Sequence, residues 1–190
     1  MLKQYIDKYL SETKEIADML CRDRLEEAIK ILLEAKGNRG RLFILGVGGS
    51  AANASHAVND FRKICRIEAY TPVDNVAELT AWTNDSGFES TFINWLKTSR
   101  LDKKDTVLIL SVGGGTETTS KNLVLAMEHT KDAGARIISI VSRDGGRALG
   151  LSDVCILIPV VSADRITAHA EGYQALLLHL MVNALKEGKR

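Results

Sequence analysis

At 190 residues, 45% hydrophobic and 26% charged, the chain is long enough for one domain with a substantial core, short for two, and too apolar to be disordered. A net charge of only +1 excludes the basic balance of a nucleic-acid binder and leaves compact anionic ligands compatible. No apolar run approaches the ~20 residues that cross a bilayer, and the start MLKQYIDKYL lacks a secretion signal's apolar stretch, so the cytoplasm and no membrane partner are expected.

Residues 2 to 36 place Leu2, Tyr5, Ile6, Tyr9, Ile16, Met19 and Leu20, then Ala28, Ile29, Leu32 and Leu33, at helical spacing. Two helices are predicted, jointed near the charged stretch CRDR and stopped at KGNRG. Such a pair outside an α/β unit needs an apolar surface to cover, and in a small domain that surface can belong to another subunit, so a homo-oligomer is expected. From residue 41 short β-rich runs alternate with helices: RLFILG, a glycine loop and a helix from about Ser50; an extended RIEAYTP; helical VAELTAW and ESTFINWL. TVLILS, a second glycine loop and KNLVLAMEHTKDAG follow, then RIISIVS, a short turn at GGRALG, VCILIPV and a long helix from about Asp164 to the end. This pattern predicts a doubly wound α/β sandwich with a five-stranded parallel sheet over 41–190, in a single domain spanning 1–190. Cys21, Cys65 and Cys155 are odd in number and widely spaced, and read as buried or idle thiols.

Ligands of such sheets bind beyond the carboxyl ends of the strands, where two glycine loops lead into helices. The first, GVGGS at 46–50, lets the backbone approach a ligand and ends on Ser50, whose hydroxyl can meet an oxyanion. Its GxGGS spacing is not a dinucleotide fingerprint and no Walker lysine follows, so no nucleotide cofactor is expected. The second, SVGGGTETTSK from Ser111, sets three glycines before Thr116, Thr118, Thr119 and Ser120 at a helix start. Amides and hydroxyls there suit a phosphate monoester. The alternative is a flexible turn with Ser120 as an ordinary N-cap.

The pieces GVGGS with SHAVNDF, TNDSGFE, SVGGG…TTSKN, SRDGG and ADRITAHAEGYQALLLHL together resemble the sugar isomerase (SIS) domain family, in its phosphoheptose isomerase branch. The resemblance spans residues 1 to 188, the N-terminal helices included. It implies a homotetramer with active sites between subunits and conversion of sedoheptulose 7-phosphate to a heptose 7-phosphate. The family's phosphate loop maps onto Ser111, Gly113, Gly114, Thr118, Thr119 and Ser120. Further binding roles fall on Ser50, on Asn84 and Asp85, and on Asp164. The family also carries a histidine and, four residues on, a glutamate after the first loop, with a glutamine and a histidine on the terminal helix; some members bind zinc among these. Here the first pair is His56 and Asp60, and the terminal histidine falls on Gln174 or Ala175, depending on the anchor. Val47 replaces the family's usual asparagine, and the second loop is longer.

Aldose-ketose isomerisation moves a proton between neighbouring carbons through an enediolate, which needs a base and a group that stabilises the oxyanion. Asp60 can be the base, although it is a methylene shorter than glutamate, and a misplacement of about 1 Å costs on the order of a hundredfold. Thr167, Glu171 and Gln174 share one face of the last helix, as Asn53, His56 and Asp60 do on the helix after the first loop. Glu171 is therefore expected to replace the lost histidine, as acid/base or as a ligand beside His56, Asp60 and Gln174. This mixed set suits one divalent metal, zinc first, with manganese or iron also compatible. The opposing reading makes His56 and Asp60 a solvated i, i+4 pair and Glu171 an exposed charge.

His129 reads as a surface residue, and His179, within LLLHLMV, as a core or interface histidine. His169 can serve the site, a neighbouring subunit or structure alone; Trp82 and Trp95 read as core or interface. Two other functions compete with the isomerase. One is a non-catalytic sugar-phosphate sensor or protein-binding module, since the branch includes relatives that bind a replication initiator. The other is an isomerase or aldol-type enzyme with a different sugar phosphate.

Overall fold

The computed structural model describes residues 1–187; the last three residues of the expected domain and terminal helix lie outside them. Its strands are the apolar runs of the sequence: β1 (Leu42–Gly46), β2 (Ala69–Tyr70), β3 (Thr106–Leu110), β4 (Arg136–Val141) and β5 (Val154–Leu157). They form a five-stranded sheet of order β2-β1-β3-β4-β5 with every neighbouring pair parallel. Parallel strands require crossovers, and crossovers cover both faces with helices, which is why β1 and β3 are buried at every position. The edge strand β2 keeps only the two residues that pair with Leu42 and Phe43, less than the extended run suggests.

One face of the sheet presents Leu42, Ile44, Leu108, Leu110, Ile138, Ile140 and Ile156. Against it pack α2 (Arg22–Gly37), α3 (Gly49–Asp60) and α8 (Ile166–Glu187), with Ile16 of α1 (Leu2–Met19) at the edge. The opposite face, with Phe43, Leu45, Val107, Ile109 and Ile137, is covered by α5 (Thr91–Thr98), α6 (Lys121–Asp132) and α7 (Gly146–Leu151). The GGRALG stretch is thus a short helix, α7, rather than a turn, because Ala148 is drawn into the second core.

Two helices are poorly covered. α1 buries only Glu12 and Ile16 while exposing Leu2, Tyr5, Ile6 and Leu10, and α4 (Val76–Ser86) buries no residue at all. Trp95, partly buried, packs edge-on against Phe43 at 5.4 Å at the margin of the second core, and Trp82 on α4 is also half-buried. No helix among the described residues is long and apolar enough to cross a membrane.

Candidate functional site

The strand order reverses direction between β1 and β3, so the loops leaving their carboxyl ends diverge and open a crevice. A cleft of about 560 Å³ lies there, lined by Val47 and Ser50 from the first loop, by residues of the second, and by Arg143 and Asp144 after β4. Ser111, Gly113, Thr119 and Ser120 of the expected phosphate loop line it, with Gly115 and Thr116 beside them. Thr118 faces an adjoining cleft across the Thr119–Ser120 ridge, together with Phe88 and Lys121.

Backbone and hydroxyl bonds hold the second loop in shape. Ser111 Oγ accepts from the Gly114 amide at 3.1 Å, and Thr116 Oγ1 accepts from the amides of Thr118 and Thr119 at 3.2 and 2.9 Å. The carbonyls of Gly114 and Gly115 accept from Ala148 and Arg147 at the start of α7. Gly114 is in the left-handed region at φ 71°, and a Cβ there would run into the Gly145 carbonyl, so only glycine lets the two loops touch. Ser120 makes no side-chain cap on α6. Ser120 instead lines the cleft at the N-terminus of the helix, against the reading of an ordinary N-cap.

α3 leads from this cleft to a second group of polar side chains. It runs alongside α8 in the same direction, with Asn53 Nδ2 donating to the Glu171 carbonyl at 2.9 Å and to Gln174 Oε1 at 3.2 Å. Farther along, Asp60 Oδ2 lies 3.4 Å from His56 Nε2 and 3.3 Å from His179 Nδ1, and the two imidazoles meet edge to face at 5.1 Å. Asp60 is 12% exposed, whereas both histidines are 53% exposed, so the group opens outward. These three ligand atoms all lie within 4.8 Å of one another.

The donor set fits a divalent metal. Two neutral imidazoles and a carboxylate are a borderline ligand set of the kind zinc takes, and ligand atoms on a tetrahedral zinc stand about 3.3 Å apart, as the two N···O separations here do. The outward opening leaves room for a further ligand.

His179 is the member that sequence reasoning missed. Its leucine neighbours suggested burial, yet Leu176 and Leu180 are themselves exposed, so apolar flanks on α8 do not mark the core. The usable signal was the row Glu171–Ala175–His179, at i, i+4 and i+8 of one helix. The structure brings His179, rather than Gln174 or Ala175, beside His56 and Asp60.

The structure sets the Glu171 carboxylate apart from His56 and Asp60, and it bonds Gln174 to Asn53. Gln174 is 0% exposed, held by Asn53 on one side, with its Nε2 lacking a partner. The Glu171 carboxylate lies against Gly49, so closely that a Cβ on Gly49 would collide with it. It therefore sits at the N-terminus of α3, where the helix dipole favours a carboxylate, next to Ser50 rather than next to Asp60. Asn84 and Asp85 are exposed at the end of α4, bonded to each other at 2.8 Å, and line neither cleft; Asp164 is exposed in the turn before α8.

His169 takes the structural option. Its Nε2 lies 2.9 Å from Glu12 Oε2, while Arg165 grips the same carboxylate at 2.8 and 2.7 Å. Arg165 above all, and then His169, hold the Glu12 carboxyl down at about 2. Burial pushes the Cys155 thiol up to about 11, in keeping with an idle thiol.

A model of the SIS domain matches residues 4–142. A phosphoheptose isomerase of Helicobacter pylori (strain P12) is 30% identical over 170 residues, covering 87% of this chain and 84% of that protein. A phosphoheptose isomerase of Nitratiruptor sp. is 33% identical over 171 residues, covering 86% and 89%. The solved phosphoheptose isomerase of Neisseria gonorrhoeae superposes with a TM-score of 0.85 over 98% of this chain and all of that one, at 23% identity, which establishes a shared fold.

Proposed function

Because the chain belongs to the SIS domain family, we propose that it is an aldose-ketose isomerase of sugar phosphates, converting sedoheptulose 7-phosphate to a heptose 7-phosphate or acting on a close relative. One observation carries this reading: α3 presents Ser50 to the hydroxyl-rich cleft at one end and His56 and Asp60 to an open triad toward the other. Ser50 and His56 are six positions apart, about 9 Å along a helix axis, on the order of the reach of an open-chain seven-carbon sugar phosphate.

In this scheme Ser111, Thr119, Ser120 and the loop amides bind the phosphate, and Ser50 and Asn53 orient the chain of hydroxyls. Asp60 takes the proton from the carbon next to the carbonyl and returns it to the neighbouring carbon. Zinc held by His56, Asp60 and His179 would supply Lewis-acid stabilisation of the oxygen that becomes anionic. Glu171, beside Ser50, accepts hydrogen bonds from the sugar rather than completing the metal site.

The same reading extends to assembly. α1 and α4 leave apolar residues uncovered, and α8 adds exposed Leu176 and Leu180, which supports a homo-oligomer, a tetramer as in the family pattern. Asn84, Asp85 and Asp164 then act from a neighbouring subunit's side of the site. The described residues form one such domain, and the cytoplasm suits a phosphorylated intermediate as substrate.

The decisive experiment incubates the protein with sedoheptulose 7-phosphate in heavy water and follows deuterium entry at carbon by NMR. Incorporation with formation of the aldose is expected. Binding without any exchange would leave a sugar-phosphate sensor and sink the isomerase.

A further inference from the structure

The phosphate cleft contains one cation that no role above uses. Among the described residues Arg143 is the only lysine or arginine lining it, beside hydroxyls, glycines and a single carboxylate, Asp144. Its position follows from the loop after β4, which is fastened on both sides. The Ser142 amide donates to the Val112 carbonyl at 3.0 Å, Ser142 Oγ to the Ile158 carbonyl at 2.8 Å, and the Gly145 amide back to the Ser142 carbonyl at 3.0 Å. Within that turn Arg143 takes a left-handed conformation, φ 55°, and its side chain passes over Gly113, with Cδ 4.0 Å from where a Cβ on that glycine would stand.

The neighbouring charges are otherwise engaged. Asp144 Oδ1 accepts from the Gly146 amide at 3.1 Å, and Arg147 pairs with Glu128 at 3.1 Å. The Arg143 guanidinium has no ion pair or hydrogen bond among the described residues. A phosphate monoester brought against neutral hydroxyls and amides keeps most of its double charge uncompensated. A guanidinium at the rim answers that charge, and its planar fork can meet two phosphate oxygens at once.

We infer that Arg143 closes the cleft over the phosphate and is the residue that makes the site prefer a phosphorylated sugar over the free one. This rests on the cleft being the phosphate site and adds to it the group that supplies the charge. Arg143 is a binding residue, remote from the triad, so it acts on affinity and not on the chemical step.

The test titrates the full chain with inorganic phosphate, and separately measures turnover of sedoheptulose 7-phosphate, for the parent, Arg143→Gln, Arg143→Lys and Thr119→Ala. Arg143→Gln is expected to weaken phosphate binding about tenfold or more and to raise KM in step, with kcat at saturation unchanged. Arg143→Lys recovers part of the loss as a point charge. Phosphate bound equally well by Arg143→Gln and the parent, but weakly by Thr119→Ala, would overturn the role of Arg143 and leave the cleft standing. No phosphate binding by the parent would overturn both.

Discussion

The cleft and the triad sit toward opposite ends of α3 and are built in opposite ways. The cleft is made of main chain: the loops after β1, β3 and β4, the last two locked together by amide-carbonyl bonds and by glycines where they touch. The triad is made of side chains, brought together from positions 56, 60 and 179 only because the small faces of α3 (Ala54, Ala57, Val58) pack with Tyr173, Leu177 and Leu178 of α8 in one core. A site of the first kind keeps its shape when a single hydroxyl is lost but not when a glycine is. A site of the second kind fails with one side chain while the fold survives.

The largest expected effects are therefore in the triad. His179→Ala and Asp60→Asn should each lower turnover by about a hundredfold or more, since a positioned acid or base contributes 10²–10⁴-fold. His179→Ala should also lower the metal content of the purified protein. Both histidines are half-exposed and Asp60→Asn keeps the size of the side chain, so thermal midpoints should stay close to the parent's. His129→Ala, on α6 and outside the triad, is the control expected to change neither property. Turnover surviving in His179→Ala would break the contrast, because the open triad would then not be the reacting centre.

Gly114→Ala reverses the pattern. Its Cβ would meet the Gly145 carbonyl from a backbone already at φ 71°, and neither partner is a flexible side chain that can swing away. A loss of about 2 kcal/mol of stability is expected, a fall in the thermal midpoint of about 4–8 °C, together with weakened phosphate binding. Metal binding at the triad should persist in the folded fraction. A variant as stable as the parent would show that the two loops are not locked through this contact.

The same division explains what could be read from the sequence. Strands such as LFILG and TVLIL are buried on both faces, and a continuous apolar run followed by a glycine loop signals a parallel strand without knowledge of its neighbours. The lining of the cleft was legible for the same reason, since Ser111, Gly113, Thr119 and Ser120 lie within one short segment. The triad was legible only in its local half. His56 and Asp60 are four residues apart on one helix, but His179 joins them through the relative placement of α3 and α8, which no local spacing encodes. Glu171 and Gln174 show the converse: they share a helical face, as read, yet neighbouring positions on a helix face a partner at different heights. One meets Gly49, and the other is buried against Asn53.

The smallest expected effect concerns how α8, which carries half of the triad's imidazoles, is anchored. Glu12 of α1 is gripped by two guanidinium nitrogens of Arg165, Nε and Nη2, and by His169, with the Tyr9 ring tilted against the His169 ring at 4.6 Å and Tyr5 beneath the Arg165 guanidinium at 5.9 Å. The carboxyl is held at about 2, below its ordinary value of 4.5, mainly by the Arg165 hydrogen bonds. A carboxylate whose pKa is depressed by folding contributes stability that is fully present above the ordinary value and is lost as the pH falls toward about 2. Between those limits the parent's thermal midpoint should fall more steeply than that of Glu12→Gln, which cannot lose a charge at this position. At about pH 7 the order is the reverse of a neutral change, with the parent the more stable of the two. Parallel curves would place the acid sensitivity elsewhere, and would mean that α1 is held on the start of α8 by Ile16 and the tyrosine rings rather than by charge.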